Sequence, residues 1–154
     1  MPFRSICACF IAFAAIACAC TAATAAPAPD KAGTVKIVHG SVSVQRQQTV
    51  LPLAVGDPLY AGDHIVTAED GSIGMTLRDD TLLSLGPKAS FFLEQYQFDP
   101  SDDSGKIVAS IVKGTLRFVT GLVGKIAPES QQLRTPDATI GIRGTDFIVD
   151  VPDE

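Results

Sequence analysis

Ile37-Val38-His39-Gly40-Ser41-Val42-Ser43-Val44 reads as two short strands with a glycine between them, and Ile111-Val112-Lys113-Gly114-Thr115-Leu116-Arg117-Phe118 repeats its character position by position. Apolar and polar residues alternate on either side of each glycine, the period of half-buried strands rather than helices. A glycine at that point permits a bulge or a sharp corner, so that a strand leaves its sheet and continues in a facing one. Gly40 and Gly114 are read as structural pivots of a wound, repetitive β architecture.

The same period extends outward from these two stretches. Val35 and Ile37, then Ile73, Met75 and Leu77, then Leu83 and Leu85 after the Asp79-Asp80 turn, each mark one inward face. Phe91-Phe92-Leu93 through Phe98 reads as a buried strand, with Asp99 to Gly105 as its polar loop. A second echo is shorter: Gly56-Asp57-Pro58-Leu59 and Gly62-Asp63-His64-Ile65 recur six residues apart. Gly-Asp supplies a turn with a side-chain cap, and the following aliphatic points back to the core. Glycine and proline punctuate the region so densely that no segment of helical length survives.

The chain has 154 residues, enough for one ordinary domain and too few for a two-domain enzyme. Lys plus Arg number 12 against 17 Asp plus Glu, a formal −5 that is the wrong sign for condensing on phosphate backbones. No nucleic-acid partner is expected. Residues 1–25 carry one basic residue, Arg4, then the apolar run Ile6 to Ala19, then small residues ending in Ala23 and Ala25. That order is the signature of a secretory signal peptide cleaved after Ala25, and the run is shorter than the roughly 20 apolar residues of a spanning helix. No transmembrane span is expected in the mature chain, which is read as periplasmic or secreted. All four cysteines, Cys7, Cys9, Cys18 and Cys20, fall in this leader, so the mature protein has no disulfide or thiolate site. The alternative is lipidation of Cys18 and an outer-membrane lipoprotein. Residues 26–33, with Pro27 and Pro29, form a short flexible lead-in, and 34–151 form the β domain.

Taken together, these pieces resemble the FecR domain family of bacterial envelope proteins, from about Thr34 to Val151. The resemblance rests on Gly40-Ser41-Val42, on the Gly56-Asp57 and Gly62-Asp63 pair with Thr67 after it, on Lys113-Gly114-Thr115-Leu116, and above all on Thr135-Pro136-Asp137-Ala138-Thr139-Ile140-Gly141-Ile142-Arg143-Gly144-Thr145-Asp146-Phe147. It implies an all-β fold, a two-layered stack of short strands with partly solenoid-like winding. The implied role is sensing or scaffolding in the envelope, and prototypes relay iron-transport signals from an outer-membrane receptor to a sigma factor. Those prototypes carry a sigma-binding segment, a membrane helix and a receptor-contacting module, whereas this chain reads as a leader and one domain. The expected partner is therefore an envelope protein, a receptor or a membrane transducer, met through a β-sheet edge or face. The end of the chain either closes with a short last strand or leaves a sheet edge for that partner.

No catalytic constellation accompanies the resemblance. His39 and His64 sit at strand-break and turn positions with no motif placing a serine and a carboxylate beside them. No His-x-x-x-His, paired-Cys or phosphate-loop spacing exists, so no cofactor or metal is expected. Asp99, Ser101, Asp102, Asp103 and Gly105 alternate oxygens as calcium loops do, but lack the EF-hand's sixth-place glycine and twelfth-place glutamate. An enzyme built on Glu94 or Asp146 would need a deep pocket, and a small-ligand or glycan binder is short of stacking platforms, having no Trp and only Tyr60 and Tyr96. Within the signature, Thr135-Pro136 sets an extended start, Ile140 and Ile142 fill the core, and Gly141 and Gly144 permit close backbone approach. Thr145 and Asp146 complete it. Arg143 is expected to tie Asp146 internally; the alternative is a guanidinium fork presented to an acidic partner.

Overall fold

The computed structural model describes residues 30–102, 104–143 and 146–152. The leader, its cysteines, Asp103, Gly144 and Thr145 lie outside the described residues. Alternation decides the elements: β1 (Lys31–His39), β2 (Val42–Arg46), β3 (Thr49–Pro52), β4 (Pro58–Tyr60), β5 (His64–Thr67), β6 (Ser72–Leu77), β7 (Leu82–Leu85), β8 (Ser90–Asp99), β9 (Ser104–Val119), β10 (Gln131–Arg134), β11 (Thr139–Gly141) and β12 (Asp146–Val151). A four-residue helix α1 (Val123–Ile126) and a 3₁₀ turn (Pro128–Ser130) lie between β9 and β10. This helix was not expected from the sequence; it is one turn long, too short for a 3.6-residue period to show.

The strands form one curled, mostly antiparallel sheet in the order β3-β2-β5-β8-β9-β7-β6-β1-β4, a half-barrel to which β10, β11 and β12 add. The all-β expectation holds at this level. Strand β9 belongs to both arms of the curl. Its first half pairs with β8 and β10, and its second half, from Gly114 on, pairs with β7 and β12. The change of partners falls at Gly114, whose φ is +88°, and a Cβ there would sit 2.5 Å from the Ala89 Cα. Gly40 stands between β1 and β2 in the same way: β1 pairs with β4 and β6, β2 with β3 and β5. Its φ is +60°, and a Cβ there would overlap the Asp70 backbone. At both corners only a residue without a side chain fits.

Both arms feed one core. Val44, Ile65, Phe91, Leu93 and Ile107 come from one arm, Val35, Met75, Leu83, Leu116 and Phe118 from the other, and all are buried. At roughly 1.5–3 kcal/mol for each large side chain taken out of water, these residues dominate the stability of the fold. Ile37 departs from the sequence reading. A register shift between Val35 and Ile37 inverts the phase, so Val38 packs on the core and Ile37 is 53% exposed. The strand structure also begins before Thr34, since β1 starts at Lys31 and Ala32 is fully buried.

Candidate functional site

Parallel strands need a crossover. The chain leaves β9, passes through α1 and the 3₁₀ turn, and returns as β10 parallel to the first half of β9, Gln131 to Arg134 alongside Ile107 to Ser110. This return presents the signature segment on the side of the sheet. Thr135 closes the next turn by itself: its backbone N–H donates to the Ala138 carbonyl at 2.8 Å, and its hydroxyl receives the Ala138 N–H at 3.0 Å. Strand β11 then runs back along β10. Ile142 is 3% exposed and its N–H donates to the Gln131 carbonyl, while Ile140 packs on the core. These two isoleucines nail the segment down. Pro136, Asp137, Ala138, Thr139, Gly141 and Arg143 face solvent.

Asp146 does not receive Arg143. Its carboxylate accepts from Nε and Nη2 of Arg117 on β9, at 3.1 and 2.7 Å, since the antiparallel register brings the start of β12 beside the end of β9. Arg117 holds the Asp146 carboxyl below the usual aspartate range. The pair lies at the surface, so its role is to pin the start of β12 more than to stabilise the fold. Among the described residues no hydrogen bond or ion pair reaches Arg143. Gly141 differs from expectation too. A Cβ there would meet nothing within 4 Å, so the position marks open surface, not a close approach.

The two Gly-Asp turns are built alike. Asp57 and Asp63 each accept a hydrogen bond from the backbone N–H three residues back, Ala54 and Tyr60, at 2.8 and 2.9 Å. Gly56 and Gly62 hold the third place of each turn with φ of +95° and +89°, which a type II turn requires. The turns then differ. Asp57 is half-exposed, whereas Asp63 is 1% exposed and takes a two-pronged ion pair from Arg46, both contacts at 2.7 Å. The Arg46 guanidinium also lies 4.4 Å over the Tyr60 ring. Arg46 was missed in the sequence because it is 17 residues from Asp63 and meets it only through the β2–β5 register.

Most of the remaining sequence candidates are internally engaged, while His39 is exposed at the end of β1. Glu94 is paired with Arg134 at 2.8 Å. His64 is a strand residue rather than a turn residue, stacked on Phe92 with ring centroids 3.7 Å apart and bonded to the Ser90 hydroxyl at 2.8 Å; partial burial lowers its pKa. Asp99 and Asp102 cap the N–H groups of Ser101 and Ser104 within their own loop. Tyr60 is covered by Arg46, and the Tyr96 hydroxyl is tied to Asp79, so neither ring offers a free stacking face and tip. Burial and the Asp79 charge hold the Tyr96 phenol protonated well above the usual tyrosine range. Among the described residues no group of metal-ligating side chains gathers.

One buried group stands out beside the signature. Gln131 is fully buried, and neither atom of its amide has a hydrogen-bond partner. A buried amide without partners costs roughly 1–3 kcal/mol. Gln131→Met keeps the length of the side chain and removes both orphaned atoms. It is expected to leave the urea midpoint unchanged or to raise stability by about 1 kcal/mol; a loss of that size would show instead that the amide is satisfied.

The fold and the site together define a small β module whose exposed C-terminal segment is held by core anchors, without a gathered catalytic group among the described residues. The chain belongs to the FecR family: the family described as FecR protein matches residues 63–154. No curated protein and no solved structure matches the chain. FecR is a regulatory, signalling family of the cell envelope. Among the described residues no helix is long and apolar enough to cross a membrane.

Proposed function

We propose that this chain is an exported, non-catalytic FecR-type module of the bacterial envelope that engages a protein partner, a receptor or a membrane transducer, in signal relay or scaffolding. Residues 1–25 act as its export leader and deliver it to the periplasm. The two arms of the sheet, turned at Gly40 and Gly114, close on the shared core as two layers. The signature segment is the surface the partner reads. The observation that carries this reading is the state of Arg143: its expected internal acceptor, Asp146, is taken by Arg117, and Arg143 faces solvent between the buried Ile142 and the start of β12. A guanidinium so placed suits an acidic group on another protein.

The test is a capture of the C-terminally tagged protein from envelope extract at low salt, with Arg143→Ala beside it. Wild type is expected to retain one receptor or transducer, and Arg143→Ala to lose most of it while its stability changes by less than about 0.5 kcal/mol, as for other surface substitutions. A destabilised Arg143→Ala would mean an internal role for the side chain. A folded wild type that retains nothing would turn attention to a small envelope ligand.

A further inference from the structure

Among the described residues four strands have a neighbour on one side only: β3, β4, β11 and β12. Bare edges invite pairing with another chain, and proteins blunt them with short strands, proline or charge. Strand β4 has three residues and begins with Pro58; β11 has three and ends in Gly141. Strand β12 is longer but carries Asp146 and Asp150 on either side of Ile148. Two copies of β12 paired about Ile148 would set Asp146 opposite Asp150 twice, which like charges oppose.

Strand β3 lacks most of these protections. Its residues Thr49-Val50-Leu51-Pro52 carry no charge and all are exposed, Val50 at 64% and Leu51 at 43%. Its hydrogen-bonding parity follows from the neighbouring contact in which the Leu53 N–H donates to the Val42 carbonyl. Counting back through the antiparallel alternation, Leu51 and Thr49 turn their backbone groups to β2, and Val50 turns its N–H and C=O away from the sheet. Pro52 has the same outward parity, so the donor it lacks is missing from the free edge and not from the β2–β3 ladder. Val50 also rims an open groove of about 480 Å³ floored by Val42, Leu53 and Val66.

We propose that the free edge of β3 pairs with the β3 of a second copy of this chain, antiparallel about a twofold axis at Val50. This inference stands apart from the partner reading of the signature. On that axis each Val50 N–H meets the Val50 carbonyl of the other copy, so one self-complementary pair of hydrogen bonds forms. Leu51 of one copy faces Thr49 of the other, and the two Val50 side chains lie together over the groove. A second copy is favoured by self-complementarity, because Val50 turns both its N–H and its C=O outward and a twofold axis there satisfies both with the same residue of the other copy. The chain carries −5 overall, so most surfaces of two copies repel, whereas this edge brings no like charges together. The nearest cation across the hairpin, Arg46, is already held by Asp63.

The experiment is sedimentation equilibrium of the purified full chain over a wide concentration range, with Val50→Asp, Ile148→Asp and Val50→Cys alongside. Wild type is expected to reach the mass of two chains. Val50→Asp sets two carboxylates on the axis and should weaken association at least tenfold with an unchanged thermal melt, since Val50 is exposed; Ile148→Asp should leave association intact. Hydrogen-bonded antiparallel partners have Cα atoms about 5.5 Å apart, within the span of a disulfide. Mild oxidation of Val50→Cys, made in a full chain whose Cys7, Cys9, Cys18 and Cys20 are replaced by serine, should therefore yield a covalent dimer that the same chain with Val50 retained does not give. A wild type that stays monomeric throughout, or a dimer lost with Ile148→Asp but indifferent to Val50→Asp, overturns the proposal.

Discussion

Gly114→Val is expected to cost about 4 kcal/mol or more, a large share of the typical 5–15 kcal/mol of a domain, and to leave a protein with little cooperative melt. Two independent effects add. The backbone at Gly114 has φ +88°, which a β-branched side chain adopts only under strain, and the new Cβ would collide with Ala89, whose Cα is 2.5 Å away and which is itself fully buried. Ala89 cannot yield, because its N–H is bonded to the Thr67 hydroxyl and its carbonyl to the Thr67 N–H. Gly56→Ala provides the control. Its φ is +95° but the space around it is empty, so only the backbone part, about 1–2 kcal/mol, should appear. Circular dichroism during thermal and urea unfolding of both variants separates the two effects; equal losses would mean that the contact with Ala89 is relieved cheaply.

Asp79→Ala is expected to cost about 3–5 kcal/mol by urea denaturation. Asp79 is fully buried in the β6–β7 turn and its carboxylate accepts from the Thr81 hydroxyl at 2.7 Å, the Tyr96 hydroxyl at 3.3 Å and the Val123 N–H at 3.3 Å. Its own N–H donates to the Tyr96 hydroxyl, and the Leu122 N–H donates to its carbonyl. One residue thereby joins a turn of one arm, a strand of the other and the start of the crossover that carries the signature. Removing the carboxylate strands several buried donors at once, whereas Asp79→Asn keeps one acceptor oxygen and should recover part of the loss. Asn and Ala variants of equal stability would show that one remaining acceptor oxygen is not enough to hold these donors.

Much of this was legible in the sequence, and what was not has identifiable causes. Ile73, Met75, Leu77, Leu83 and Leu85 point inward as their alternation demands, because β6 and β7 pair without a shift of register. Ile37 is misplaced by the same rule because a bulge inside β1 changes the phase, and a bulge leaves no mark in hydrophobicity alone. Asp79-Asp80 reads correctly as a turn, but a turn aspartate is ordinarily solvated, and only the crossover folding over it makes Asp79 a buried hub. The twin Gly-Asp turns were visible as a repeat; which of the two is buried depends on Arg46, brought there by a hairpin and a neighbouring strand. Within the signature, the two isoleucine anchors follow from spacing. The choice of Arg117 over Arg143 as the partner of Asp146 follows only from the β9–β12 register, which pairs residues far apart in the chain.

The double membership of β9 also sets an order of events. Strands β7 and β8 both take β9 as a neighbour, as do β10 and β12. In a chain emerging from its N-terminus, hairpins such as β2–β3 and β6–β7 can form early, but neither arm acquires its inner neighbour until residue 104 and those after it are free. Such distant pairings are slow to close, since the intervening loop loses its entropy before any contact rewards it. Closure of the two arms on their shared core therefore waits for the last third of the chain, which brings the one strand that both arms need.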